Sequence, residues 1–133
     1  MIEVTAAIIR QNGKILICQR SADKTCGLLW EFPGGKIEPG ETGEQSIIRE
    51  CQEELDVTPS VEQKLIEVVY EYPDRIVQLH FYLCKITTGI PNKKEHNALA
   101  WITLDEIEKY EFCPADKEML SKTHAQLVEF INV

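Results

Sequence analysis

No stretch of the chain approaches the roughly 18 consecutive apolar residues of a membrane-spanning helix, so no membrane span is expected. The N-terminal MIEVTAAIIRQNGK has an apolar run too short, and too early broken by charge, to read as a signal peptide. Positive charge is scarce: 14 Lys and Arg face 22 Asp and Glu, for a net charge of −8. With no basic stripe visible, a polymeric nucleic-acid partner is not expected. A nucleotide stays open, because a metal offsets local acidity. There is no C-x-x-C pair. The five cysteines (Cys18, Cys26, Cys51, Cys84 and Cys113) are odd in number and scattered, which predicts free thiols in a reducing compartment, the cytoplasm, most of them filling a core. Repeats, low-complexity tracts and interdomain linkers are also missing. What remains is one domain, 1–133, with 44% apolar residues and enough length to bury a core.

Residues 3–10 and 14–20 are apolar, β-branched runs separated by Asn12-Gly13, a strong hairpin signal. Residues 28–32 read as a short strand entering a loop at Pro33, Gly34 and Gly35. The spacing predicts a helix over 43–55, started by a capping box of Thr42 with Gln45 and ended at Thr58-Pro59. A strand pair over 65–72 and 75–86 turns at Pro73-Asp74. Within the second strand Ile76, Gln78, His80 and Tyr82 alternate with the greasier Val77, Leu79, Phe81 and Leu83. Residues 99–102 form a last strand, and Thr103 with Glu106 caps a short helix ending near Tyr110. After Pro114, residues Met119, Leu120, Thr123, Leu127 and Ile131 recur at helical spacing and predict one C-terminal helix. Strands mixed with two long helices, without regular βα alternation, predict an α/β (α+β) fold with a mixed sheet and helices on both faces.

The most informative stretch is 35–57, GKIEPGETGEQSIIRECQEELDV. Glu50, Glu53 and Glu54 share one face of the predicted helix, since positions i, i+3 and i+4 are neighbours there. Two unit charges about 5 Å apart repel by roughly 3 kcal/mol at an effective dielectric near 20. Such a cluster is either screened by water or filled by a cation, and oxygen-only ligands point to Mg²⁺ or Mn²⁺. Taken alone, an E-x-x-E-E pattern describes a solvated helix face. Here it is framed by order: Ile47, Ile48, Cys51 and Leu55 give an apolar stripe for docking, and Arg49 is placed to pair with Glu53 or Glu41. His80, His96 and His124 show neither metal spacing nor a triad setting.

The spacing G-x5-E-x7-R-E-(apolar)-x-E-E-x-x-(apolar) resembles the Nudix box at Gly35, Glu41, Arg49, Glu50, Cys51, Glu53, Glu54 and Val57. One position departs. Asp56 stands where the box has glycine, a residue that ends the helix in the left-handed conformation, which Asp tolerates better than most. The likeness extends over nearly the whole chain and is nearest to the MutT-like branch, through Trp30-Glu31-Phe32-Pro33-Gly34-Gly35-Lys36, Tyr70-Glu71-Tyr72-Pro73-Asp74-Arg75 and Pro114-Ala115-Asp116.

The resemblance implies an α/β/α sandwich and a metal-dependent hydrolase that cuts a nucleoside triphosphate to monophosphate and pyrophosphate by attack on the β-phosphorus. It implies metal ligation by the Gly34 carbonyl and by Glu50, Glu53, Glu54 and Glu95. Glu50 would be the general base, within a catalytic set of Arg49, Glu50, Glu53 and Glu95. Arg20 and Lys36 would contact phosphate, and Phe32, Arg75 and Asp116 the base. Asp116 stands where the oxidised-guanine enzyme of this branch has asparagine. Ionised Asp only accepts hydrogen bonds, which suits a base edge with two donors. For cytosine it leaves N3 unsatisfied unless the acid is protonated. An oxidised or unmodified purine and a cytosine nucleotide therefore both remain as substrates, serving nucleotide-pool sanitation or pyrimidine metabolism. ADP-ribose, a dinucleoside polyphosphate, or binding without turnover are the other readings, for a monomer or a homodimer.

Overall fold

The computed structural model describes residues 1–132. Its sheet is built outward from one hairpin. Asn12 and Gly13 both take positive φ (53° and 76°), the backbone of a tight turn whose twist matches the strands it joins. They connect β1 (Ile2–Gln11) to β2 (Lys14–Gln19) with Arg10 opposite Ile15. The sheet then forks. Along its other edge β1 runs parallel to β6 (Arg75–Thr88), which pairs antiparallel with the edge strand β5 (Thr58–Tyr72). Beyond the hairpin, β2 leaves β1 and pairs with β7 (Ala98–Ile102) and β3 (Trp30–Glu31), while β4 (Gly34–Lys36) takes its place on β1 at Val4 to Ala6. Phe32 and Pro33 therefore bridge the fork, and the Ala7 N–H holds the Pro33 carbonyl at 2.7 Å.

β1 is apolar on both sides because both faces of the sheet are covered, which explains its unbroken run. On one face Ala7 and Ile9 join Leu16, Cys18 and Cys84 beneath Ile47, Cys51 and Leu55 of α1 (Gly43–Leu55). On the other, Ala6 and Ile8 join Ile15, Ile17 and Phe81 under Met119 and Leu127. This is the mixed-sheet sandwich that the residue pattern predicts, with α1 on one side and the C-terminal helices on the other. No helix among the described residues is long and apolar enough to cross a membrane.

Four expectations about elements are corrected. Residues 34–36 form β4 instead of a loop, because pairing with β1 overrides the weak strand preference of glycine. The strand expected over 28–32 is confined to Trp30–Glu31, with Leu28 in the left-handed region at φ 64°. β5 begins at Thr58, seven residues early; bulges near Pro59, Gln63 and Ile66 break its alternation, and Pro59 is tolerated on an edge strand. The C-terminal helix is two helices, α2 (Pro114–Lys122) and α3 (His124–Ile131). At the break the buried Thr123 hydroxyl donates to the Met119 carbonyl (2.8 Å), and Thr123 itself sits at φ −123°.

Candidate active site

α1 carries the acids, and both of its ends are built as the residues suggest. The Gln45 N–H donates to the Thr42 hydroxyl (3.1 Å) while the Gln45 side chain accepts from the Thr42 N–H (2.9 Å). Asp56 closes the other end at φ 58°, in the left-handed region. Between them Arg49 gathers acids from before the helix and from its second half. Its Nε and Nη2 reach Glu41 at 2.7 and 2.9 Å, Nη1 reaches Glu50 at 2.7 Å and Glu53 at 3.3 Å, and Nη2 also donates to the Lys36 carbonyl. Both partners expected for Arg49 are therefore real, and Glu50 is a third. The bidentate guanidinium holds the Glu41 carboxyl down to about 2.

The three box acids have different surroundings. Glu53 is 60% exposed at the rim. Glu50 is half-buried, and burial raises its pKa against the opposing pull of Arg49, with Glu53 and Glu95 adding to the rise. Gly35 makes room for it: a Cβ at that position would lie 2.6 Å from the Glu50 carboxylate. Glu54 is only 9% exposed and accepts the Gly34 N–H at 3.1 Å. Burial pushes its carboxyl up to about 9, followed by the charges of Glu31, Glu50 and Glu95. Glu95, on the loop before β7, adds its charge to the rise at both Glu50 and Glu54. The acids are gathered but splayed: among the described residues no three carboxylate, imidazole or thiol groups close around one point as a finished metal cage.

Glu31 is the residue that sequence reasoning missed. It lies on β3 where pairing with β2 sets it opposite Cys18, and it joins two parts of the site. It bonds Arg20 (2.9 Å) and His96 Nε2 (3.0 Å), and its charge raises both Glu54 and Asp116. The only signal was its place inside the Trp30 to Lys36 segment. His96, which shows neither metal spacing nor a triad setting in the chain, abuts the site through this contact. Its buried Nδ1 has no partner among the described residues.

A cleft of about 410 Å³ opens beside Glu31, lined among others by Arg20, Lys36, Tyr72, Arg75 and Asp116. Arg20 is braced by Glu31 and by Thr25, whose carbonyl accepts from Nε at 2.6 Å. Arg75 lies 4.9 Å from the Tyr72 ring centre and hydrogen-bonds Asp74. Asp116 is buried in the first turn of α2, and its Oδ1 accepts the Phe32 N–H at 3.2 Å. Burial and then the charge of Glu31 push its carboxyl up to about 8. Phe32 is placed differently from Arg75 and Asp116. Its ring stacks on Phe112 in the core (5.9 Å between centres) and is not among the residues lining the cleft, so what it presents toward Asp116 is its backbone.

A carboxylate cluster on a capped helix, a glycine strand packed against it and a cleft carrying arginine and lysine alongside define a recognisable class. The chain belongs to the NUDIX domain family, whose model matches residues 4–122. Among its relatives, an Escherichia coli CTP pyrophosphohydrolase is 41% identical over 90% of this chain and 89% of its own. An E. coli 8-oxo-dGTP diphosphatase is 38% identical over 91% and 95%. The solution structure of the E. coli ORF135 protein superposes with a TM-score of 0.81 at 39% identity, over 94% of this chain and 89% of that one.

Proposed function

We propose that this chain is a divalent-cation-dependent nucleoside triphosphate pyrophosphohydrolase, converting a (d)NTP to the monophosphate and pyrophosphate. The observation that carries the reading is the buried Glu54, pushed up to about 9 first by burial and then by the charges of Glu31, Glu50 and Glu95, beside a cleft carrying Arg20, Lys36 and Arg75. Carboxylates this close fit a hard cation such as Mg²⁺ or Mn²⁺ better than they fit water. The Gly34 carbonyl and Glu50, Glu53, Glu54 and Glu95 would hold it. When bound, it supplies positive charge that neutralises the phosphates and acidifies the attacking water.

The chain's own groups do the rest. Glu50 is the general base, taking the water's proton as oxygen attacks the β-phosphorus and the bond to the monophosphate oxygen breaks. Its burial raises the carboxylate's basicity, while Arg49, pinned by Glu41 and the Lys36 carbonyl, fixes where it points. Arg20 and Lys36 meet the polyphosphate. Arg75, the Phe32 backbone and Asp116 meet the base.

The state of Asp116 narrows the base. With its carboxyl raised to about 8, it holds a proton at neutral pH and offers one donor beside an acceptor. That pair complements cytosine, through N3 and the amino group, and equally the O6 and N7–H edge of 8-oxoguanine. Unmodified guanine has acceptors at both O6 and N7 and so matches the pair only along its O6 and N1–H edge. The relatives named for CTP and for 8-oxo-dGTP support the same two substrates. Five free thiols suit a cytoplasmic setting, where damaged or surplus triphosphates are removed.

Purified protein with Mg²⁺ is expected to release pyrophosphate from CTP, dCTP or 8-oxo-dGTP, with a lower kcat/KM for dGTP. Glu50→Gln should lower kcat by about 10²–10⁴-fold. Unchanged turnover in that variant would remove the base assignment, and nucleotide binding with no pyrophosphate release would turn the enzyme into a binding module.

A further inference from the structure

Asp56 occupies the one box position where the family pattern has glycine, and it does more than end a helix. Its left-handed backbone (φ 58°, ψ 31°) closes α1, and its N–H bonds back to the Gln52 carbonyl at 3.2 Å. Its carboxylate points away from α1 to the loop leading into β7. Oδ2 accepts from Asn92 Nδ2 at 3.1 Å and Oδ1 from Lys94 Nζ at 3.0 Å. The Asn92 N–H donates to the Leu55 carbonyl at 2.9 Å, in the same last turn of α1. Gly89 passes so near that a Cβ there would lie 2.5 Å from the Asp56 carbonyl oxygen. The far side of the loop is fastened too: His96 to Glu31 at 3.0 Å, and Asn97 to Gln19 through its N–H (2.9 Å) and its amide (2.7 Å). Glu95 lies between Lys94 and His96, the two residues pinned from opposite sides, while its own side chain is exposed.

We propose that Asp56 is a positioning residue for hydrolysis: through Asn92 and Lys94 it fastens the loop to the C-terminus of α1 and so holds Glu95 beside Glu50 and Glu54. The inference rests on the reading of Glu95 as a member of the metal site. A glycine at 56 caps the helix at least as well, because it takes positive φ without a side-chain clash, but it has no carboxylate with which to hold the loop. The chain thus exchanges the best helix terminator for a clamp.

Asp56→Gly is expected to lose three- to tenfold in kcat, with KM for the nucleotide within twofold and a melting temperature equal to or above that of the parent. Lys94→Met, which leaves the helix cap untouched, should show the same loss. Both should weaken Mn²⁺ binding to the nucleotide-free protein, followed by electron paramagnetic resonance. Adding Asp56→Gly to Glu95→Gln should cost nothing further, because the clamp acts only through Glu95. Full kcat and Mn²⁺ affinity in Asp56→Gly alongside an impaired Glu95→Gln overturns the role of Asp56 alone, as do losses that multiply in the double variant. Parental kcat and Mn²⁺ affinity in Glu95→Gln instead removes Glu95 from the site, and the proposal with it.

Discussion

Gly35 has no side chain because the Glu50 carboxylate occupies the place one would take. Gly35→Ala should therefore displace Glu50, the proposed base, while leaving the sandwich intact. About 10²-fold loss of kcat is expected from the range for a misplaced general base, with circular dichroism unchanged; a parental kcat would show that the position of Glu50 does not govern turnover. Asp116 offers a second test at this scale. Its carboxyl, raised to about 8, donates a proton below that pH and loses it above. KM for CTP should therefore rise once the pH passes about 8, whereas Asp116→Asn, a donor and acceptor at every pH, should give a flat profile. Matching profiles for the two proteins would mean that Asp116 does not read the base. Its identity was legible in the residue order, but its protonation was not, because burial at the foot of α2 and the nearness of Glu31 are products of folding.

At the scale of elements, α1 is the part most fully written in the chain. Its capping box, apolar stripe and left-handed terminus all stand where the residues put them, because each depends on neighbours within four positions. Thr42→Ala removes the cap that bonds the Gln45 N–H and should cost about 1 kcal/mol of stability. Thermal unfolding would register this as a drop of a few degrees with kcat within twofold, since Ile47, Cys51 and Leu55 still dock the helix. A far larger drop in kcat would mean that the acids depend on the first turn. The hairpin at Asn12-Gly13 was legible for the same local reason. β4 was not, because three residues with two glycines become a strand only when β1 pairs with them. The break at Thr123 was hidden as well: the apolar spacing of Met119, Thr123 and Leu127 runs straight through it, and only the buried hydroxyl bonding the Met119 carbonyl marks the join.

Over the whole molecule, the raised acids make stability depend on pH and on metal. Asp116, at about 8, and Glu54, at about 9, each keep a proton in the fold that the unfolded chain releases near its ordinary value of roughly 4. Between those limits the native state binds more protons than the unfolded state, so stability falls as pH rises. Without metal the melting temperature should drop between about pH 6 and pH 9, and Asp116→Asn should make the slope shallower. Saturating Mg²⁺ should raise the melting temperature more at the upper end than at the lower, because a cation competes with protons for the same carboxylates. A metal effect independent of pH would place the cation away from Glu54.

The chain by itself determined the proposed reaction centre, because Gly35, Glu41, Arg49, Glu50, Glu53 and Glu54 lie within 20 residues and α1 turns the spacing of its acids into one face. It also determined the layered architecture, since alternation in strands and the 3.6-residue period in helices are local. Tertiary structure decided what surrounds that face. Glu31 enters from β3, Glu95 from a loop fastened at Asp56 and Gln19, and Asp116 from α2. None of these lies on α1 with the box acids. Only the fork between β1 and β2, bridged by Phe32 and Pro33, brings them together, and desolvation there changes their charge. The order of residues determines what can ionise, and burial determines which groups do.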